Sequence, residues 1–299
     1  MNLRQLESFL RVAELGSFSR AALVLGLAQP ALSRQIRLLE EDLGAKLLRR
    51  TGRGAIPTEA GARLREHAGG ILRLAAQARE DLAAERGEPT GRIVIALPPS
   101  MARLLTLRLV EGFRAALPRA RLAVVEGLST HIGEWIATGR VDLGLVLNPS
   151  PLGAIETRPI LDEALCLVSP ARPRAPSAKL PFAELARYPL VIPEPMHVIR
   201  KLVETEAARA RLSLDIAWEI SGVPAILELV RTGHGHAVLT EGAVRASGQA
   251  AAFGLRRITS PDLTSRLCLA VPARGPLSPL MQAAIRLLEG LVRAHSNPL

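Results

Sequence analysis

The sequence predicts a mixed α+β and α/β fold, with a winged helix-turn-helix, a long helix and a C-terminal α/β region of two units. Three observations predict it. Two short stretches of helical apolar spacing meet at Gly26. A proline-free stretch with the same spacing follows from Glu59. After Gly91 the pattern changes to an alternation of strands and helices.

The helix-turn-helix is predicted between residues 17 and 44. We expect Ser19 to cap its first helix, Gly26 to form the turn and Pro30 to start the second helix. The polar face of the second helix offers amide, hydroxyl and guanidinium groups that can reach base edges and phosphates. The residues expected at DNA are Ser17, Ser19, Gln29, Pro30, Ser33, Arg34 and Arg37. An ordinary helical hairpin has similar apolar spacing, so the neighbouring residues decide between the two interpretations.

A basic wing is predicted from residue 45 to residue 58. Two glycines there separate two short strands, and Arg50 and Arg53 are the best candidates for phosphate contacts. A solvated basic loop is the alternative. The next helix is predicted from Glu59 to about Arg86, with Gly69-Gly70 marking either a bend or a close helix–helix approach. A hinge at residues 87–91 ends it.

The C-terminal region is predicted to form two α/β units, each with a parallel sheet and helices on both faces. The last strand returns to the first unit, and a final helix runs from about Ser278 to Ala294. The predicted strands cover residues 92–97, 121–126, 141–147, 165–169, 190–192, 216–220, 237–239 and 267–271.

A small-molecule site is predicted where strands end and helices begin, because ligands of open parallel sheets lie there. The unpaired amides of helix N-termini favour a carboxylate or another anion. The residues selected are Ser100, Met101, Ser129, Thr130, Met196, His197, Gly222 and Val223. The three hydroxyl residues among them are equally well explained as helix caps. His197 is a candidate for ligand binding, for pH sensing, or for an ordinary surface position.

Several classes of protein are disfavoured by the composition of the 299 residues. No stretch of about 18 apolar residues is present, and the charged N-terminus does not resemble a secretory signal, so a cytoplasmic protein is expected. Cys166 and Cys268 are expected to be buried thiols, with a regulatory disulfide as the alternative. His234 and His236 make a weak metal site. The net charge of +10 lies mostly beyond residue 90, where it is +7, so the charge does not itself locate DNA binding.

The first 61 residues carry motifs that resemble those of LysR-type transcriptional regulators. The matching motifs are Leu6-Glu7-Ser8-Phe9, Ala13-Glu14-Leu15-Gly16-Ser17-Phe18-Ser19, Gln29-Pro30-Ala31-Leu32-Ser33-Arg34-Gln35-Ile36 and Thr58-Glu59-Ala60-Gly61. Ala28 departs from the pattern, because Ser or Thr usually precedes Gln29 and can cap the recognition helix. The loop from Val125 to Asn148 most resembles members linked to nitrogen assimilation or aromatic-compound catabolism.

The resemblance implies a DNA-binding domain at 1–58, a dimerisation helix at 59–88 and an effector-binding domain at 89–299. The last resembles periplasmic solute-binding proteins, with lobe I at about 92–162 and 267–299 and lobe II at about 163–266. It implies a homodimer, assembled further into a homotetramer, that binds an interrupted palindrome, responds to a small effector and contacts RNA polymerase.

No catalytic residue, cofactor, metal site or membrane contact is expected. The competing classes are a solute-binding protein, an enzyme and an architectural DNA-binding protein that needs no effector. The first is opposed by the N-terminal domain, and the second by the absence of a recognisable catalytic motif.

Overall fold

The computed structural model describes residues 1–51, 54–84, 89–171, 178–273 and 277–296. Its elements follow in chain order. The N-terminal part contains α1 (Leu3–Leu15), α2 (Phe18–Leu25), α3 (Gln29–Leu43), β1 (Leu48–Thr51) and β2 (Gly54–Pro57). The two strands pair antiparallel as the predicted wing. Phe9, Val12, Leu32, Ile36 and Leu39 form the buried core between the three helices.

The turn of the helix-turn-helix forms as predicted, but the N-cap of α2 is not the predicted residue. Gly26 ends α2 in the left-handed conformation, with φ of 64°, and a proline lies in the first turn of α3. The prediction that Ser19 caps α2 is wrong. Ser17 has the extended backbone of a cap, and its hydroxyl accepts the N–H of Arg20 at 3.3 Å. The helix therefore begins at Phe18, and Ser19 lies inside its first turn.

The long helix α4 spans Glu59–Ala84 without interruption, and residues 85–88 lie outside the described part of the chain. It is firmly joined to the helix-turn-helix. Ala60 and Leu64 pack against the N-terminal core, and a methyl group on Gly61 would overlap the carbonyl group of Leu47. The first turn of α4 and the DNA-binding helices therefore form one packed unit.

The remaining chain forms two lobes around separate hydrophobic cores. Lobe I begins with β3 (Gly91–Leu97), α5 (Pro99–Ala116), β4 (Ala120–Glu126), α6 (Ser129–Ala137) and β5 (Leu143–Leu147). In its sheet, β3 lies between β4 and β5 and is parallel to both. Helices cover both faces, because α5 packs in one core and α6 in another on the opposite side.

Lobe II is entered along β6 (Ile155–Pro170), and the chain later returns to lobe I. The intervening elements and the returning ones are β7 (Lys179–Pro181), β8 (Leu190–Ile192), α7 (Val198–Arg209), β9 (Ile216–Glu219), α8 (Val223–Arg231), β10 (Ala237–Thr240), α9 (Glu241–Ala246), β11 (Phe253–Thr259), β12 (Thr264–Pro272) and α10 (Pro279–Ser296). The predicted return is confirmed, since β12 pairs with β5. No helix in the described ranges has the length and apolar character needed to cross a membrane.

The predicted parallel arrangement holds for β3, β4 and β5, but the sheet as a whole is mixed. The 16-residue strand β6 runs through both lobes, pairing antiparallel with β12 in lobe I and with β10 and β11 in lobe II. The sequence indicated only residues 165–169 of this strand, because its first half is half-exposed, charged and interrupted by Pro159. A strand of this length connects the lobes without a break, and it produces a mixed sheet of eight strands.

Candidate nucleic-acid interface and ligand cleft

The outer face of α3 carries the side chains that sequence reasoning selected. Gln29, Pro30, Arg34 and Arg37 are exposed, and Ser33 is half-buried. On the opposite face of the helix, Leu32, Ile36 and Leu39 are almost fully buried. Burial of one face leaves the other free to enter a major groove.

The two helices of the motif are held together close to this face. The Ser19 hydroxyl donates to Oε1 of Gln29 at 3.2 Å and so connects α2 to the start of α3. Arg37 approaches Glu41 at 3.5 Å on the surface of α3, whereas Arg34 forms no ion pair within the described residues. Of these two arginines, Arg34 is therefore the one whose guanidinium group is more available to contact DNA.

The start of α3 lacks a side-chain cap, as the departure at Ala28 suggested. Ala28 has the backbone of an N-cap, with φ of −69° and ψ of 136°, but no side chain accepts the free amides of the first turn. We predict that Ala28→Ser will stabilise α3 by about 0.5–2 kcal/mol, because the hydroxyl supplies the missing acceptor. Hydrogen exchange of peptides from residues 29–43 measures this gain. Ala31→Ser, inside the helix, is the control, and equal exchange in Ala28→Ser and the wild type would contradict the prediction.

Glu40 connects α3 to the wing, a role that sequence reasoning did not assign. Glu40 is only 8% exposed. Its Oε1 accepts the N–H groups of Leu47 (2.9 Å) and Leu48 (3.2 Å), and its Oε2 accepts a bond from Nζ of Lys46 at 2.8 Å. Burial alone would raise the pKa of this carboxyl, but Lys46 and the two backbone N–H groups outweigh it, and the pKa is lowered. A buried carboxylate thus fixes the segment that leads into β1.

The wing is only partly described. The backbone of Arg50 pairs with Ala55 across the hairpin, whereas its side chain and all of Arg53 lie outside the described residues. The amide of Ala55 donates to the carbonyl of Gly16 at 2.8 Å, so β2 is attached to the end of α1. The phosphate contacts of Arg50 and Arg53 stay predictions.

The middle of α4 lies directly on lobe I. A methyl group on Gly70 would overlap the carbonyl oxygen of Thr138, whereas Gly69 faces open space. Gly70 therefore marks a close approach, and its partner is Thr138 at the C-terminal end of α6 rather than a paired helix. One helical turn further on, Nε of Arg73 lies 3.0 Å from Oδ1 of Asp142, whose other oxygen accepts the amide of Val94 at 2.6 Å.

A cavity of about 540 Å³ lies between the lobes. All eight residues selected from the sequence line it, although they come from four separate stretches of the chain. They are Ser100, Met101, Ser129, Thr130, Met196, His197, Gly222 and Val223. The residues that were selected because they follow the carboxyl ends of strands thus lie together in the fold.

The hydroxyl residues at this cavity do not cap their helices, contrary to the alternative interpretation. Pro98 and Leu128 occupy the cap positions of α5 and α6, and neither helix has a side-chain cap. Ser129 instead accepts the amide of Leu147 at 2.9 Å. Helix α8 also begins without a side-chain cap, at Gly222. Three helices therefore present uncapped N-terminal amides at the cavity, and such amides favour an anion.

His197 faces the same cavity and is not an ordinary surface residue. It caps α7, because its Nδ1 accepts the amide of Ile199 at 3.2 Å. Burial lowers the pKa of this imidazole, although the charge of Glu194 opposes the shift. A neutral ring that accepts at Nδ1 carries its proton on Nε2, so it offers one N–H donor.

Arg103 was missed by sequence reasoning. It lines the cavity from α5, one turn after Ser100, and its Nε donates to the carbonyl of Ala246 in lobe II at 2.9 Å. Helical spacing from Ser100 could have identified it. Glu126, Glu163 and Glu228 also line the cavity, and burial raises the pKa of Glu163 despite the amide of Gly242, which donates to its carboxyl.

The histidines and cysteines singled out in the sequence form other contacts or are buried. His234 bonds to Thr232 and His236 to Ser169, and within the described residues no group of three His, Cys, Asp or Glu side chains could hold a metal ion. Cys166 and Cys268 are buried and free, as predicted, and burial raises the pKa of Cys166 to about 11.

Two family models together match nearly the whole chain. Residues 3–62 match the bacterial regulatory helix-turn-helix protein of the lysR family, and residues 86–292 match the LysR substrate binding domain. The chain belongs to the LysR family of transcriptional regulators. It is thus a DNA-binding regulator with an effector-binding domain.

Full-length relatives agree with this LysR assignment. The chain is 35% identical to the nitrogen assimilation regulatory protein nac of Klebsiella aerogenes, over 99% of this chain and 97% of the relative. The nac protein of Escherichia coli is 32% identical over 98% of this chain and 95% of its own length.

Solved structures show the same LysR fold at lower identity. A full-length OxyR variant of Pseudomonas aeruginosa has a TM-score of 0.77 at 23% identity, covering 98% of this chain and 95% of its own. CbnR in complex with its target DNA has a TM-score of 0.68 at 22% identity, covering 97% of this chain and 100% of its own.

Proposed function

We propose that this LysR-type regulator binds an interrupted palindrome as a homodimer, with α3 of each subunit in a major groove and half-sites about 34 Å apart. The domain boundaries that we propose are 1–58, 59–88 and 89–299. Bases and phosphates are contacted by Ser17, Ser19, Gln29, Pro30, Ser33, Arg34, Arg37, Arg50 and Arg53. The observation that supports this most is the exposed polar face of α3 opposite an almost fully buried apolar one.

The dimer is formed through α4. Leu74 on this helix is 63% exposed, and the apolar residues Ile71 and Ala78 lie one helical turn before and after it, so the three form an apolar stripe. Pairing of two such helices buries this stripe and places two recognition helices at a fixed separation. Two dimers form the tetramer, and the DNA-bound assembly contacts RNA polymerase.

The cavity between the lobes binds a small anionic effector, most simply a carboxylate. Its eight predicted residues contribute uncapped amides and hydroxyl groups, and His197 adds an N–H donor. Arg103 supplies the positive charge on the wall. The observation that carries this proposal is the convergence of three uncapped helix N-termini with this arginine on one cavity.

A thermal-shift experiment tests the nature of the effector. The probes are mono- and dicarboxylates, inorganic phosphate, and amines of matched size. We expect at least one anion to raise the Tm in a saturable manner, because a ligand bound only to the folded state stabilises it. Arg103→Gln should abolish this shift, whereas Arg108→Gln, an exposed arginine of the same helix, should leave it unchanged. Stabilisation by amines alone, or equal shifts in both variants, would contradict an anion site here.

A further inference from the structure

Two structural elements connect the ligand cavity to the contact with α4. Helix α6 starts at the cavity with Ser129 and Thr130, and it is followed at its other end by Thr138 and Gly139, against which Gly70 packs. Strand β5 runs the opposite way. Asp142, which binds Arg73, precedes it, and Leu147 at its end lines the cavity. The nine residues of α6 span about 13 Å, so one end of the helix lies at the cavity and the other lies at the contact with α4.

The two elements are packed tightly enough to move as one body, here named the α6–β5 unit (residues 129–147). A methyl group on Gly144 would lie 2.9 Å from Cγ2 of Ile132 and 2.6 Å from the carbonyl oxygen of Ala96. At the cavity end, the Ser129 hydroxyl accepts the amide of Leu147 at 2.9 Å. Close-packed contacts of this kind transmit displacement rather than absorb it.

The contact with α4 includes a buried ion pair that is incompletely hydrogen-bonded. Arg73 and Asp142 are both buried, with side chains 19% and 8% exposed. Burial lowers the pKa of Arg73 and raises the pKa of Asp142, so burial disfavours both charges. Nη2 of Arg73 is buried without a hydrogen-bond partner within the described residues. Desolvation of the two charges offsets most of their attraction, so the intact pair adds little net stability, whereas loss of one partner would leave the other charge buried and unpaired.

We propose that the α6–β5 unit couples the cavity to the DNA-binding domain, by carrying a displacement at Ser129 and Leu147 to Gly70 and Arg73 on α4. Because α4 is packed onto the helix-turn-helix, its position on lobe I sets where α3 points. This proposal rests on the proposed ligand role of the cavity. A coupling free energy between the two ends is reciprocal, so a disturbance at either end is expected to be felt at the other.

Hydrogen–deuterium exchange of the full chain tests the coupling with neither DNA nor ligand, so its failure is distinguishable from failure of either proposed binding activity. Two variants disturb the α4 end. Gly70→Ala introduces the overlap with Thr138, and Asp142→Asn removes the charge but keeps an acceptor for Val94. We expect roughly 5- to 10-fold faster exchange at α4 and also at the amides of Ile132 and Leu147 in the α6–β5 unit.

The reverse experiment starts from the cavity. Ser129→Ala removes the acceptor of the Leu147 amide, and we expect it to accelerate exchange in peptides from residues 66–76 of α4. Arg63→Gln is the matched control, because Arg63 lies near the start of α4 and pairs with Glu59 at 3.4 Å. If each substitution changes exchange only beside itself, the two sites are independent and the proposal is wrong. If Gly70→Ala does not fold, Asp142→Asn alone decides between these outcomes.

Discussion

Arg34→Ala is expected to lose most of the preference of this regulator for its operator over random DNA. A bidentate contact from arginine to a guanine is worth about 1–3 kcal/mol of discrimination, which is roughly 5- to 150-fold. Arg34 lies in the middle of the exposed face of α3 and forms no ion pair with any described residue. Its removal should therefore change DNA recognition and leave the fold intact.

Competition binding by fluorescence anisotropy measures this effect, with DNA from upstream of the gene against a shuffled fragment. Arg114→Ala is the control, because it removes another exposed arginine, from α5 in lobe I. The two variants have the same net charge, so a general electrostatic effect appears in both. An unchanged specificity ratio in Arg34→Ala would show that this side chain does not read a base.

Glu40→Ala is expected to destabilise the helix-turn-helix by roughly 2–4 kcal/mol, since each buried donor left without an acceptor costs about 1–3 kcal/mol. The substitution removes the acceptor of the Leu47 and Leu48 amides and the partner of Lys46. Glu40→Gln keeps one carbonyl oxygen for the amides and should lose less. Exchange rates of peptides from residues 1–61 measure both losses.

Glu41→Ala is the control for this series, because the neighbouring carboxylate is exposed and bonds only to the surface residue Arg37 in the described part of the chain.

The dependence of stability on acid pH is a second test of the role of Glu40. The pKa of Glu40 is lower in the folded state than its ordinary value of 4.5. The stabilisation by this carboxylate is therefore complete above pH 4.5, and it is lost as the pH falls through the pKa of the folded state. Glu40→Gln should show a weaker loss of protection in acid. An acid response equal to that of the wild type would contradict the role of this carboxylate.

The local features were predictable because each depends on a few adjacent residues. Gly26 requires a left-handed turn, the spacing of Leu32, Ile36 and Leu39 defines a buried face, and hydrophobic strands followed by helix starts locate the cavity. The cap of α2 was misplaced by two residues, because Ser17 and Ser19 are chemically equivalent and only the backbone distinguishes them.

Features that depend on distant parts of the chain were not predictable in the same way. The first half of β6 is half-exposed, so it lacks the apolar signal of a buried strand, and the mixed sheet follows from its pairing with β12. The contact of Gly70 with Thr138 and the pair of Arg73 with Asp142 join residues about seventy positions apart. A single sequence gives these residues no distinguishing pattern.

The most direct test of the proposed operator binding is competition for the purified full chain between DNA from upstream of its own gene and shuffled DNA of the same composition, at moderate ionic strength. Two recognition helices on successive turns predict a preference of roughly a thousandfold or more for the natural fragment, and footprints about one turn apart on one side of the duplex. Equal affinity for both fragments, with no protected sites, would contradict the assignment of α3 as a sequence-reading helix.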